Sequence, residues 1–262
     1  MKKIHSIGFA LVVTLLGTAA QAQPTAQSAK PTVVLVHGAF ADSSSWNGVI
    51  TILKHEGYEV VAAANPLRGV RADADVVADV VKSIDGPVVL VGHSYGGSVI
   101  SEAAEQQANV KALVYVAAFA PDAGETALGL TGKFPGSTLA PTLAPPVSLT
   151  SGGNDLYIQQ ARFHDQFAAD VPAAQAQLMA AGQRPVAEAA LKEASTEPAW
   201  KTVPSWFIYG DADKNIPPVA MAFMADRAKS QATVVVKGAS HVVMVSHAPE
   251  VAGLIEQAAT AR

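Results

Sequence analysis

The chain of 262 residues contains no cysteine. That absence excludes a disulfide framework, a thiolate nucleophile and a cysteine-ligated zinc site. Charge is scarce too, with 15% charged against 50% hydrophobic residues and a mean hydropathy of +0.24. Disordered chains combine low hydrophobicity with high charge, so this one is not disordered. Basic residues are in deficit: 18 Lys and Arg face 22 Asp and Glu, a formal net charge of −4. No basic surface is left for nucleic-acid phosphates. The 20 Gly and 16 Pro follow no triplet period, which excludes a collagen-like chain. A mildly acidic globular protein remains, long enough for one large domain with an internal site.

A long apolar run is also missing. The stretch from Ile7 to Leu16 is too short to span a bilayer, which takes about 20 residues. It follows the basic start Met1-Lys2-Lys3 and precedes Ala20-Gln21-Ala22, a small-x-small site ahead of Gln23-Pro24. This is the order of a bacterial-type secretory signal peptide. The expectation is a leader over 1–22 cleaved after Ala22, then a flexible tether over 23–30. A periplasmic or secreted location follows, with no stable membrane insertion after cleavage.

From Thr32 onward, short β-branched runs alternate with helix-length segments. The runs are Thr32–Val36, Tyr58–Ala62, Pro87–Val91, Ala112–Val116, Ser205–Tyr209 and Thr233–Val236. Helical segments are expected over Ser45–Glu56, Ala72–Ile84, Tyr95–Gln107, Pro217–Lys229 and Pro249–Thr260. Near-continuous Val, Ile and Leu suits parallel strands covered on both faces. The alternation predicts one α/β domain over 31–262, a mostly parallel sheet with helices on both faces. It stops between Phe119 and Val203, too long a gap for an ordinary crossover. The segment over about 120–203 is expected to be a helical cap inserted between two late strands. Its second part reads as helical from Asp155 to Ala199, broken near Pro172 and Pro185. Such a cap lies over the carboxyl edge of the sheet, where open α/β sheets bind ligands.

Gly92-His93-Ser94-Tyr95-Gly96 follows a Val/Leu strand and opens a helix. It fits G-x-S-x-G, the turn that projects a serine hydroxyl at a helix N-terminus. Ser94 needs a base to take its proton. His241 follows the last strand at the same sheet edge, whereas His247 lies in the approach to the final helix. A metal site from these two histidines lacks a third ligand nearby, so no metal and no organic cofactor is expected. The base needs a carboxylate to fix its tautomer. Tyr209-Gly210-Asp211-Ala212-Asp213 supplies one, with Asp213 favoured, Asp211 expected to shape the turn and Asp122 a distant third choice. His37-Gly38-Ala39-Phe40 turns after the first strand and can aim the Ala39 N–H at a substrate oxygen. The N–H of Tyr95, the residue after the serine, is the expected second donor of an oxyanion hole. Phe40, Phe119, Phe134, Phe163, Trp200 and Met244 are candidates to line an apolar substrate pocket, alongside Tyr95, Tyr157 and Phe167.

The run Val33 to Phe40, the turn over Gly92 to Gly97 and the ending Ser240-His241 together resemble the α/β-hydrolase superfamily. The resemblance covers nearly all of Pro31 to Thr260. It is similar more narrowly to the small-ester hydrolase branch, which includes salicylate-ester esterases, pyrethroid-type esterases and hydroxynitrile lyases. Hydroxynitrile lyases of that branch carry lysine directly after the catalytic histidine, where this chain has Val242. Haloalkane dehalogenases and epoxide hydrolases carry aspartate where this chain has Ser94. The resemblance therefore implies a serine carboxylic-ester hydrolase acting through an acyl-enzyme, and the expected leader makes it a secreted one. Its expected substrates are small to medium, neutral, fairly apolar esters, the cap offering no basic cluster. The expected state is a monomer or homodimer. A perhydrolase or lyase, and a ligand-binding receptor on the same scaffold, are the alternatives.

Overall fold

The β-branched runs pair into one twisted layer. The computed structural model describes residues 1, 3 and 30–261. The expected leader over 1–22 and tether over 23–30 lie outside the described residues, apart from residues 1, 3 and 30. The first half comprises β1 (Thr32–Val36), α1 (Asn47–His55), β2 (Val60–Ala63), α2 (Val70–Lys82), β3 (Val88–His93), α3 (Tyr95–Ala103) and β4 (Val110–Val116). The cap follows with α4 (Ala127–Lys133), β5 (Val147–Ser148), β6 (Asn154–Leu156), α5 (Gln160–Phe167), α6 (Ala173–Gly182), β7 (Val186–Ala187) and α7 (Glu188–Lys192). The chain closes with β8 (Ser205–Gly210), α8 (Pro218–Arg227), β9 (Ala232–Val236), α9 (Val243–Ser246) and α10 (Ala248–Thr260).

The main sheet has six strands in the order β2-β1-β3-β4-β8-β9, all parallel. The chain moves outward from β1 to β2, then crosses back over β1 to reach β3. Right-handed crossovers in opposite directions put α1 on one face and α2 on the other. The helix α3 packs with α2, while α10 returns to pack on α1. The strand order reverses between β1 and β3, the place where open α/β sheets form a ligand crevice. Both the His37-Gly38 turn and the Ser94 turn leave the sheet there.

Burial follows position in the sheet. Val88 to Val91 of central β3 are fully buried, whereas edge strands β2 and β9 leave Val61 and Val235 exposed. The edge runs are as apolar in sequence as the centre, so composition alone hides which strands are outermost. Helix α2 buries Val70, Ala74, Val77 and Val81, the spacing of one apolar stripe.

The cap differs from the expected helical run. Asp155 starts no helix: it lies in β6, the middle strand of an antiparallel sheet ordered β5-β6-β7. Between Asp155 and Ala199 only α5, α6, α7 and one 3-10 turn are helical. Strands of two or three residues are too short to show a period of two. The breaks do fall at the prolines, with Pro172 capping α6 and Pro185 preceding β7.

Candidate active site

Ser94 stands between β3 and α3 with φ +54° and ψ −122°. An L-residue adopts this left-handed backbone only when its surroundings enforce it, at about 1–3 kcal/mol. The enforcement is visible. The Ser94 carbonyl accepts from the N–H of Gly97 at 3.0 Å and Phe119 at 3.1 Å, and its own N–H donates to Val116 at 3.3 Å. Glycine is required at Gly96, where a Cβ would lie 2.6 Å from the Val36 carbonyl oxygen. Gly38 sits as close to the serine, since a Cβ there would lie 2.6 Å from Ser94 Cβ.

His241 follows β9 and is buried against Asp213 from the loop after β8. Its Nδ1 lies 2.6 Å from Asp213 Oδ2, which puts the proton on Nδ1 and leaves Nε2 an acceptor. The other Asp213 oxygen accepts from the N–H groups of Asn215 at 2.7 Å and Ile216 at 3.0 Å. Asp211 instead accepts from the Gly238 N–H at 2.6 Å, tying the two late loops together. Asp122 pairs with Lys201 on the cap. His247 turns to Ser246 and Asp170, at 2.9 and 3.5 Å. Ser94 and His241 open on the same cavity. Among the described residues no hydrogen bond joins the Ser94 hydroxyl to His241, whose Nδ1 is held by Asp213. Such contacts often tighten only with substrate in place.

Two further histidines hold this arrangement, and the sequence pattern did not assign them that work. His93 Nε2 lies 3.1 Å from the His241 carbonyl oxygen and donates to it. His37 Nε2 accepts from the Asn65 N–H at 3.1 Å, while Nδ1 donates to the Gly38 carbonyl at 3.0 Å. Burial pushes both rings below the ordinary value of 6.5, His93 strongly so. The unfolded chain would protonate them near 6.5 and so binds more protons as pH falls through that value. Folding stability is therefore full above about pH 6.5 and declines below it, by up to about 1.4 kcal/mol per pH unit for each ring. Urea midpoints at pH 7.5 and 5.5 check this. A lower midpoint at 5.5 is expected, and equal midpoints contradict it.

Ala39, Tyr95, Ser94 and His241 border one cavity of about 300 Å³. Among the described residues neither the Ala39 nor the Tyr95 N–H is taken by a backbone carbonyl. Two free donors flanking a serine suit an oxygen that gains negative charge. The walls are mainly apolar: Phe40, Phe119, Leu128, Leu139, Leu143, Pro146, Leu156, Phe167, Leu191 and Ile216. Glu188 and Lys192 of α7 also line the cavity and pair with each other at 2.5 Å.

Of the pocket candidates, Phe40, Phe119, Tyr95 and Phe167 line this cavity, and Phe134, Tyr157, Phe163, Trp200 and Met244 do not. Phe163 is fully buried behind Phe167, ring centres 4.9 Å apart. Phe134 packs on Phe223 at 5.2 Å. Trp200 donates its indole N–H to the Pro121 carbonyl at 2.8 Å beneath Arg227. Met244 is fully buried in the core. Each of the four serves packing instead, and leucines of the cap take their place. Among the described residues no cluster of three or more His, Asp or Glu is placed to hold a metal ion.

Residues 33–254 match the alpha/beta hydrolase family, and the chain belongs to it. The carbendazim hydrolyzing esterase of Nocardioides sp. (strain SG-4G) is 33% identical over 113 residues, 38% of this chain. That match spans about half, 47%, of the relative's own length. The fold is shared with polyneuridine aldehyde esterase, at TM-score 0.75 and 19% identity over 87% of this chain and 99% of the other. It is shared as well with a pyrethroid hydrolase from Sphingobium faniae JZ-2, at TM-score 0.69 and 21% identity over 88% and 98%.

Proposed function

We propose that the chain is a serine carboxylic-ester hydrolase for small to medium, uncharged, apolar esters. One observation carries the reading. His241, oriented by Asp213 at 2.6 Å, shares an apolar cavity with a serine in a strained turn and two unpartnered N–H groups. The esterase names of two similar proteins, the carbendazim hydrolyzing esterase and polyneuridine aldehyde esterase, support it.

In the proposed reaction the substrate carbonyl lies over Ser94, with its oxygen toward the Ala39 and Tyr95 N–H groups. His241 Nε2 takes the hydroxyl proton as Ser94 Oγ bonds to the carbonyl carbon, and the C=O electron pair moves onto oxygen. The imidazolium is stabilised by the Asp213 carboxylate and passes its proton to the leaving alcohol as the C–O bond breaks. A water molecule then gives a proton to the same nitrogen, attacks the acyl carbon and releases the acid, with the proton returning to Ser94. The free N–H donors act where charge develops, each worth about 3 kcal/mol in comparable sites.

The cavity supports the proposed substrate class. It is walled mainly by aliphatic and phenyl groups, and Lys192, the one cationic lining residue among the described residues, is neutralised by Glu188. A carboxylate-bearing ester gains nothing there and loses hydration. Turnover of p-nitrophenyl esters should favour neutral acyl chains over the succinate half-ester. Glu188→Gln frees the lysine, so the ratio of kcat/KM should move toward the anionic ester by up to about fivefold, the range of one exposed ion pair. A wild-type preference for the anionic ester would contradict the proposed substrate class.

A further inference from the structure

Tyr95 is tied to the cap through a chain of polar contacts that the reaction itself does not use. Its phenol O–H donates to Asp73 Oδ2 at 2.9 Å. Asp73 lies in the first turn of α2, fully buried. Both of its carboxylate oxygens also accept from the Arg68 N–H, each at 3.1 Å. The Arg68 side chain then reaches the cap. Nη1 donates to Asp155 Oδ1 of β6 at 2.6 Å, and Nη2 to the Pro185 carbonyl at 3.0 Å, just before β7. The same short loop is held twice more. The Leu67 carbonyl accepts from Ala187 of β7 at 2.9 Å, and Glu193 accepts from the Val70 N–H at 2.7 Å. The cap's small sheet, the loop before α2, Asp73 and Tyr95 thus form one connected assembly.

We infer that Asp73 is a positioning residue that aims the Tyr95 N–H at the oxyanion, with Arg68 and Asp155 making the seated cap part of that alignment. This rests on the proposed role of Ala39 and Tyr95 as oxyanion donors. A hydrogen bond from a neutral phenol to a buried carboxylate is charge-assisted and directional, so it fixes where the first residue of α3 sits. A donor misplaced by a fraction of an ångström loses much of its value, because the transition state offers no time to rebuild the site. The positive end of α2 and the Arg68 N–H satisfy the carboxylate that would otherwise be costly to bury. Burial raises the Asp73 carboxyl above its ordinary range, and its hydrogen bonds oppose that rise.

Tyr95→Phe tests the inference, since it keeps the backbone N–H and the ring and removes only the O–H. In the full chain, p-nitrophenyl butyrate turnover and the rate of inactivation by a fluorophosphonate are measured beside wild type. Both reactions build an oxyanion at the same place. The expected result is a fall in kcat of about tenfold, a parallel fall in the inactivation rate and KM within about twofold, less than the loss of a whole donor. Asp155→Ala removes the Arg68 ion pair, one of the assembly's contacts at its cap end, and keeps the test open should Tyr95→Phe not fold. Its kcat and inactivation rate should fall together by about threefold, a fraction of a donor's worth. Unchanged kcat and inactivation in either folded variant, or a change in KM alone, overturns the inference while leaving the hydrolase reading intact. A wild-type chain that neither turns over the ester nor reacts with the fluorophosphonate overturns both.

Discussion

Asp213→Asn should lower kcat about 10⁴-fold, the loss expected when a catalytic imidazole is held in the wrong tautomer. The surroundings of Asp213 dictate that outcome. One carboxylate oxygen accepts from the N–H groups of Asn215 and Ile216 at 2.7 and 3.0 Å, and the other faces His241 Nδ1 at 2.6 Å. An amide in this place must keep its oxygen on the two backbone donors, which turns its NH₂ group toward His241. The imidazole then accepts at Nδ1 and carries its proton on Nε2, where it cannot take the proton of Ser94. KM should change little, because Asp213 does not line the cavity. Asp211→Asn is the control. Its carboxylate accepts from Gly238 at a partly open loop, and an amide oxygen can do the same, so turnover should stay within a few-fold. Steady-state kinetics on both variants decides the matter, and a reversed ranking would move the acid to Asp211.

Ser94→Ala should remove about 10⁶ in kcat, close to the loss seen when a serine nucleophile is deleted elsewhere. The fold should survive, since the substitution leaves the Cβ and the strained backbone in place and removes an oxygen that no hydrogen bond joins to His241 among the described residues. Ester turnover at matched circular dichroism is the measurement. Retention of more than a few per cent of wild-type activity would mean that another group attacks the ester.

The central strands were readable because strands buried on both faces are written as unbroken Val and Leu. Boundaries were less so. The strand ends at His93, not Val91, because Gly92 and His93 still pair with Tyr115 and Val116 of β4. The cap strands β5, β6 and β7 carry two or three residues each and leave no periodicity to read. The polar residues at the sheet edge were legible for a different reason. A serine between glycines after a strand, and an aspartate and a histidine after later strands, occupy loops that parallel topology must bring to one edge. The pocket residues were legible only in part, Phe40, Phe119, Tyr95 and Phe167 lining the cavity and the others not. Trp200 and Met244 look like Phe40 and Phe119 in sequence, and only tertiary packing separates a wall from a core. Asn65, Asp73 and His93 act through contacts to residues far away in the chain, which no local spacing announces.

The most direct test of an acyl-enzyme on Ser94 is covalent capture. The protein is treated with a stoichiometric organophosphonate, its intact mass is recorded, and the adduct is mapped by peptide mass spectrometry. The account predicts one adduct per chain, located on Ser94, with ester turnover lost in proportion and no adduct on Ser94→Ala. An unmodified mass, or an adduct that persists in Ser94→Ala, would contradict it.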